Sequence, residues 1–320
     1  MVHSVAEVAE LLRSSPGWTA KAHIAVLREV FGPGDWLRGP GDDVAVVPVG
    51  AEKVIACGEA ILPAFVEHDP YGAGIAAVLT NVNDVAAMGA VPLAIVDTIV
   101  GPTETCRAVL DGMRFASELY EVPVVGGHLT NSADRVALSA FALGRCPGPA
   151  LSATGVAPGQ RLALIVCLEG RMRADFPFFP SFDERGRELA GDIRLLADLA
   201  ADGVIVAAKD VSMAGLFGSL AMLLEPTRCG VSIALDAVPV PAGLTFAEWA
   251  MCFPCFAFLV TLPPASEDRC RLAVERRGLT YAPLTTLDAS GILELTDAGD
   301  AARVVDLTVD DITGLRAVSP

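Results

Sequence analysis

Between Tyr71 and Met88 the chain reads YGAGIAAVLTNVNDVAAM. Asp69-Pro70 opens this segment as a helix and Gly89 closes it as a left-handed cap. The helix is apolar nearly all round, so the fold must enclose it rather than lay it on a surface. Ala76, Ala77, Ala86 and Ala87 let neighbours pack closely. Yet the helix also carries Thr80, Asn81, Asn83 and Asp84, and Thr80, Asn81 and Asp84 share one face at helical spacing. An ionised carboxylate there costs several kcal/mol unless something compensates it. Backbone or arginine partners, or a wet seam, are two structural answers. A cation or nucleotide faced by the carboxylate and its flanking amides is the functional one.

The chain has 320 residues, 52% of them hydrophobic, enough for two well-packed domains. Asp plus Glu number 39 against 23 Lys plus Arg, a net charge of -16. With no basic stripe, phosphate backbones and anionic lipids are repelled, which argues against nucleic-acid and membrane partners. A small anion such as a nucleotide remains compatible when a cation mediates. The apolar runs Leu162–Leu168 and Phe253–Leu262 are too short to span a bilayer. The opening MVHSVAEVAELL lacks the pattern of a signal peptide, and cytoplasm is the expected compartment. Eight cysteines are scattered through apolar surroundings and read as small buried hydrophobes. Cys252 and Cys255 have C-x-x-C spacing, but no second pair or nearby histidine completes a zinc site, so a structural role is expected.

Strand and helix patterns alternate along both halves. Helices are expected over 5–14, 19–31, 71–88, 104–120, 188–200, 213–224 and 266–277. Strands are expected in VAVVPV, KVIAC, PLAIVDTIV, VPVVGG, RVALSAFALGR, RLALIVCL and FAFLVTL and around Val231 to Leu235, and VIVAAKD is read as a strand or a turn. The composition loosens at CPGPALSATGVAPGQ, which places a boundary between domains 1–150 and 151–320. The fold class is α+β, with two domains whose strands pair mostly antiparallel.

Three further stretches carry polar groups at element ends. GPGDDVAVV sets Asp42 and Asp43 side by side between a glycine-rich turn and an apolar run. VVGGHLT ends a strand on Gly126 and Gly127, where the backbone can approach a ligand, followed by His128 and Thr130. AAKDVSMAGL puts Lys209 and Asp210 before a helix start, with Ser212 in position to cap.

GPGDDVAVV, NVNDVAAMGAVPLA, VVGGHLT and DVSMAGLFGSLAMLLE, in this order over nearly the whole chain, resemble the superfamily of AIR synthase, thiamine-monophosphate kinase, selenophosphate synthetase and a hydrogenase maturation factor. The likeness is greatest to its AIR synthase-related branch. The resemblance implies an AIR synthase-like fold: an N-terminal ATP-binding α+β domain that dimerises through its strands, and a C-terminal α+β domain. It implies Mg-ATP as cofactor and a small-molecule substrate. Carried over by position, Asp42, Asp43 and Asp84 match acids that bind Mg²⁺ on the triphosphate. Asp210 matches the acid near the phosphates, and Gly126 and Gly127 match the turn beside the nucleotide. A hard cation bridging carboxylates to phosphate oxygens explains how several aspartates lie beside a polyanion. FGPGDW and the Gly-Pro-Gly before Asp42 are expected to form a flap over the phosphates. No P-loop or protein-kinase motif is present.

The chain departs from individual members. CGEAI stands where thiamine-monophosphate kinase has Thr-Thr-Asp-Met, leaving Glu59 as the carboxylate. DVSMAG puts Met213 where that kinase has a second acid. The Cys-Lys pair of selenophosphate synthetases is absent. The expected function is phosphoryl transfer to, or phosphoryl activation of, a small acceptor. Metal ligands are then Asp42, Asp43, Glu59, Asp84 and Asp210; nucleotide contacts are Asp43, Asn83, Gly126, Gly127 and His128; catalytic candidates are Asp210, His128 and Lys209. A selenophosphate synthetase-like enzyme and a non-catalytic nucleotide-sensing or scaffold dimer are the alternatives. Arg171, Arg173 and Arg185 are read either as anion contacts or as part of a solvated loop.

Overall fold

Ser4 starts the first helix through a reciprocal cap: its hydroxyl accepts from Glu7 N while Glu7 Oε2 accepts from Ser4 N. The computed structural model describes residues 4–31, 42–50 and 52–315, so all of the expected flap FGPGDW but Phe31, and Gly39-Pro40-Gly41, lie outside the described residues. Helix α1 (Val5–Ser14) is followed by α2 (Pro16–Thr19), a 3₁₀ stretch and α3 (Val26–Phe31). The chain then forms β1 (Ala45–Val49), β2 (Glu52–Ile61), α4 (Pro63–His68), α5 (Pro70–Ala87), β3 (Val91–Gly101), α6 (Thr103–Tyr120), β4 (Val124–Asn131) and β5 (Ala137–Arg145). The later part runs β6 (Arg161–Val166), β7 (Phe178–Phe179), α7 (Phe182–Arg185), α8 (Glu188–Asp192), α9 (Leu195–Ala201), β8 (Ala207–Asp210), α10 (Gly215–Leu224), β9 (Val231–Ala234), α11 (Phe246–Met251), β10 (Phe253–Pro254), β11 (Ala257–Leu262), α12 (Glu267–Glu275), β12 (Thr280–Thr286), β13 (Ile292–Asp297) and β14 (Asp300–Asp306). Among the described residues no helix is long and apolar enough to cross a membrane.

Two units result. One comprises Asp43–Ala150 and Arg185–Ala201; the other Met1–Asp42, Leu151–Glu184 and Asp202–Pro320. In the first, five strands are ordered β1-β2-β5-β3-β4, antiparallel except for β3–β4. Helix α5 packs on one face of this sheet and against α6. The two helices meet at glycines: a Cβ on Gly74 would fall 2.0 Å from Val109 O, and one on Gly112 2.0 Å from Tyr71 O. The opposite face leaves Val47, Val96, Phe141 and Leu143 exposed. Residues 188–200 form two helices rather than the single one expected. Arg194, at the break, donates to Tyr120 O and Glu121 O, carbonyls that the end of α6 leaves without helical partners.

The second unit holds a four-stranded antiparallel sheet, β12-β6-β11-β8, and a three-stranded sheet, β14-β13-β9, in which β9 and β13 run parallel. Its core joins Leu164, Phe217, Leu259 and Leu293 with Val8 and Leu12 of α1. Glu225, at the end of α10, is buried and accepts from Ile312 N, Thr313 N, Thr313 Oγ1 and Gly314 N.

Candidate metal and nucleotide site

Register across the first unit assembles a row of side chains. Glu59 of β2 pairs with Ala140 of β5, Ala140 with Asp97 of β3, and Asp97 with Gly127 of β4. Directly paired residues share a face, and this is the face covered by the helices, since Ala140 and Asp97 are buried while Phe141 and Thr98 are not. Asn81 of α5 comes down on the row. Its Nδ2 donates to Ala140 O (3.2 Å), and its Oδ1 accepts from Cys57 Sγ (3.2 Å). One turn further along α5, Asp84 is buried, and one of its carboxylate oxygens lies within 4.8 Å of one from Asp43. Burial, then the charges of Asp84, Glu59 and Asp43, push the Cys57 thiol far up its scale. Asn83, buried, precedes Asp84.

This donor set fits a hard divalent cation: all its charged ligands are oxygens, and two of them converge at the end of an otherwise apolar helix. The helix Asp that the sequence leaves to be compensated faces other carboxylates of its own unit, and a cation is what such a group accommodates.

Two expected residues stand elsewhere. Asp42 parts company with Asp43: its Oδ2 accepts from Ser152 Oγ (2.8 Å) and its Oδ1 from Ala153 N (2.6 Å), so it anchors a turn of the second unit. His128 follows Gly127 on β4 and pairs with Thr98, which puts it on the outer face of the sheet, opposite the acid row. The glycines do not end their strand either. β4 runs on through Gly126 and Gly127 to Asn131, held by β3. Gly127 lacks a side chain because the Asp97 carboxyl group takes its place; a Cβ would fall 2.5 Å from Asp97 Oδ2. At Gly126 the corresponding space is open.

In the second unit Asp210 ends β8 and pairs with Lys209, Nζ to Oδ1 2.5 Å, both buried. Ser212 does not cap α10, whose first turn begins at Gly215. Arg173 is held by Asp175, and the buried Arg185 of the first unit by Asp192 and Glu188, so their own neighbours take up both guanidinium groups; Arg171 is exposed. Cys252 and Cys255 bracket β10, which pairs with β7. Cys255 N donates to Phe179 O, Cys255 Sγ accepts from Ser181 N, and Phe253 stacks on Phe178 at 4.8 Å. The motif is a structural clamp on the segment around β7.

Asp97 is absent from the expected set. It is 5% exposed, and burial raises its pKa above the ordinary aspartate value. The signal was present, since an acid in the middle of PLAIVDTIV demands the same explanation as an acid in an apolar helix.

Comparison with known proteins identifies the family. The AIR synthase related protein N-terminal domain matches residues 41–146, and the C-terminal domain of the same family matches residues 183–297. An uncharacterized protein of Synechocystis sp. is 31% identical over 295 residues, 91% of each chain. Thiamine-monophosphate kinase of Rhodopirellula baltica is 29% identical over 229 residues, 66% of this chain and 68% of the kinase. The fold of T. maritima PurL complexed with ATP superimposes with a TM-score of 0.80 at 18% identity, covering 98% of this chain and 53% of PurL, so the chain spans about half the length of that protein. With both domain types matched in order and a relative alike over nearly its full length, the chain belongs to the AIR synthase related protein family.

Proposed function

We propose that this chain is an ATP- and Mg²⁺-dependent enzyme that transfers a phosphoryl group to, or activates with one, a small-molecule acceptor. The observation that carries the reading is the convergence of the Asp43 and Asp84 carboxylates in a unit whose family includes ATP-using relatives. Asp43 and Asp84 are assigned as metal ligands, with Glu59 as a further one. Asp210 is assigned as a metal ligand on its place in DVSMAG, and Asn83, Gly126 and Gly127 as nucleotide contacts. Mg²⁺ there supplies charge neutralisation on the triphosphate, the main requirement of phosphoryl transfer together with positioning. Asp42 and His128 leave the set for the reasons of geometry given above.

The outer sheet face supports a homodimer through the same unit. Val96, Phe141 and Leu143, with Val47 on the edge strand β1, are exposed apolar residues of this face, and such a face is closed most simply by a second copy. His128 lies on that face. We place the dimer in the cytoplasm.

Titration calorimetry with Mg-ATP tests the site. The parent protein binds, and Asp84→Asn loses binding while remaining folded and dimeric; unchanged affinity in that variant overturns the assignment. A nucleotide sensor without turnover is the second reading, favoured by Met213, which is 42% exposed where the related kinase motif carries an acid. Binding of ATP with no consumption across a panel of small acceptors decides for the sensor.

A further inference from the structure

The Lys209–Asp210 pair poses a problem that the metal assignment does not absorb. Both residues are 4% exposed, and the ammonium sits 2.5 Å from the carboxylate oxygen. They are consecutive on β8, an edge strand whose backbone is fixed by pairing Lys209 with Leu259 and Asp210 with Phe258. A lysine is enclosed only when its charge is compensated, and burying the pair is hard to justify by stability alone, because desolvation offsets most of the Coulomb gain. A buried cation beside an assigned metal ligand therefore calls for a role at that ligand.

We propose that Lys209 is a resident counter-ion of Asp210 that makes the site discriminate between a free divalent cation and a cation already carrying a nucleotide; this rests on the assignment of Asp210 as a metal ligand. A bare divalent ion approaching Asp210 meets a positive charge next to the oxygen it needs. Inside a protein, where the dielectric screens weakly, that repulsion is large. The cation–triphosphate complex arrives with net negative charge. It presents phosphate oxygens to the ammonium as Asp210 turns to the metal, so Lys209 exchanges one anionic partner for another and no charge is left unpaired. Lys209 is thus a positioning residue for the carboxylate and a specificity determinant for the form in which the metal enters.

The test uses full-length protein and Mn²⁺ as the probe, read by electron paramagnetic resonance without turnover. Lys209→Met removes the charge, Lys209→Gln removes it while keeping a hydrogen-bond donor for Asp210, and Lys209→Arg keeps it. Both neutral variants are expected to bind free Mn²⁺ about tenfold more tightly than the parent, the scale of one unit charge at moderate screening, and to bind Mn-ATP more weakly. Lys209→Arg is expected to keep the parent's preference. The thermal midpoint of either neutral variant is expected to rise more on adding Mn²⁺ than that of the parent, because the metal now compensates a carboxylate left alone. Free-Mn²⁺ affinity equal to or below the parent's in whichever neutral variant folds overturns the proposal, even if the parent binds Mn-ATP. A parent that binds no Mn-ATP overturns the underlying metal assignment instead.

Discussion

A side chain on Gly127 and the carboxyl group of Asp97 would claim the same space between β4 and β3. A Cβ at position 127 falls 2.5 Å from Asp97 Oδ2 and 2.6 Å from its Cγ. Gly127→Ala therefore has to displace the Asp97 side chain, at about 1–3 kcal/mol. Chemical denaturation of the variant is expected to show that loss, and Asp97→Ala combined with Gly127→Ala is expected to recover part of it. A double variant no more stable than the sum of the two singles would show that the residues do not compete.

Asp97 itself gives a pH signature. Burial raises its pKa, so the folded protein holds the proton more firmly than the unfolded chain does. Its favourable contribution is complete below the ordinary aspartate pKa, near 4, and is lost as pH rises through the folded value. Asp97→Asn, which stays neutral, is therefore expected to gain in thermal midpoint over the metal-free parent more at pH 7 than at pH 4. A gap that is constant or shrinks with pH contradicts this.

The contrast between Asp84 and Asp97 shows how far the residues could be read unaided. α5 was legible because an apolar run long enough for five turns admits only burial, and an acid within it stands out. Asp97 obeys the same rule in a strand, but a strand has two faces: PLAIVDTIV shows an acid that demands an explanation without showing which of its alternating faces is buried, and only the sheet puts Asp97 inside, between the exposed Val96 and Thr98. Gly126 and Gly127 suggested a strand end because glycine weakens strands, whereas here Asp97 occupies the room that the missing side chain leaves. The hairpin β13–β14 carried no strand signal strong enough to place it. The inclusion of Arg185–Ala201 with Asp43–Ala150 rests on long-range contacts such as Arg194 to Tyr120 O, which local pattern does not encode.

Glu225 ties the chain's last described segment to α10 with four donors, three of them backbone N–H groups. Glu225→Gln keeps the volume but removes the charge and turns an amide toward donors. A loss of about 2–3 kcal/mol is expected, the range for hydrogen bonds to a charged group that is fully desolvated. Hydrogen exchange should speed up selectively at residues 312–314. Unchanged exchange there would mean that packing, not the carboxylate, holds the segment.

Cys252 and Cys255 test the structural view of their motif. Both are fully buried, and burial pushes each thiol up to about 12. At pH 8 almost no thiolate exists, so alkylation of the native protein is expected to leave both unlabelled while denaturant exposes them. Rapid labelling of either in the folded protein would contradict a purely structural role. Cys255→Ala removes the acceptor for Ser181 N and is expected to destabilise the protein by about 1–3 kcal/mol.

The adjacent aspartates at 42 and 43 provide the sharpest separation. Asp42 spends both carboxylate oxygens on Ser152 and Ala153, while Asp43 converges with Asp84. Asp42→Asn loses charged acceptance of a backbone N–H and a hydroxyl, so it is expected to lower the unfolding free energy by about 1–3 kcal/mol. In that variant Mg-nucleotide affinity should stay within a few-fold of the parent. Asp43→Asn is expected to do the reverse. Relieving like-charge repulsion toward Asp84 leaves metal-free stability equal or higher, while affinity for Mg-ATP falls by at least about tenfold. Calorimetry and urea unfolding on the two variants give four numbers, and the assignment requires them to cross. If Asp42→Asn abolishes nucleotide binding without loss of stability, the carboxylate seen at Ser152 must leave that turn when ligand arrives, and Asp42 returns to the metal set.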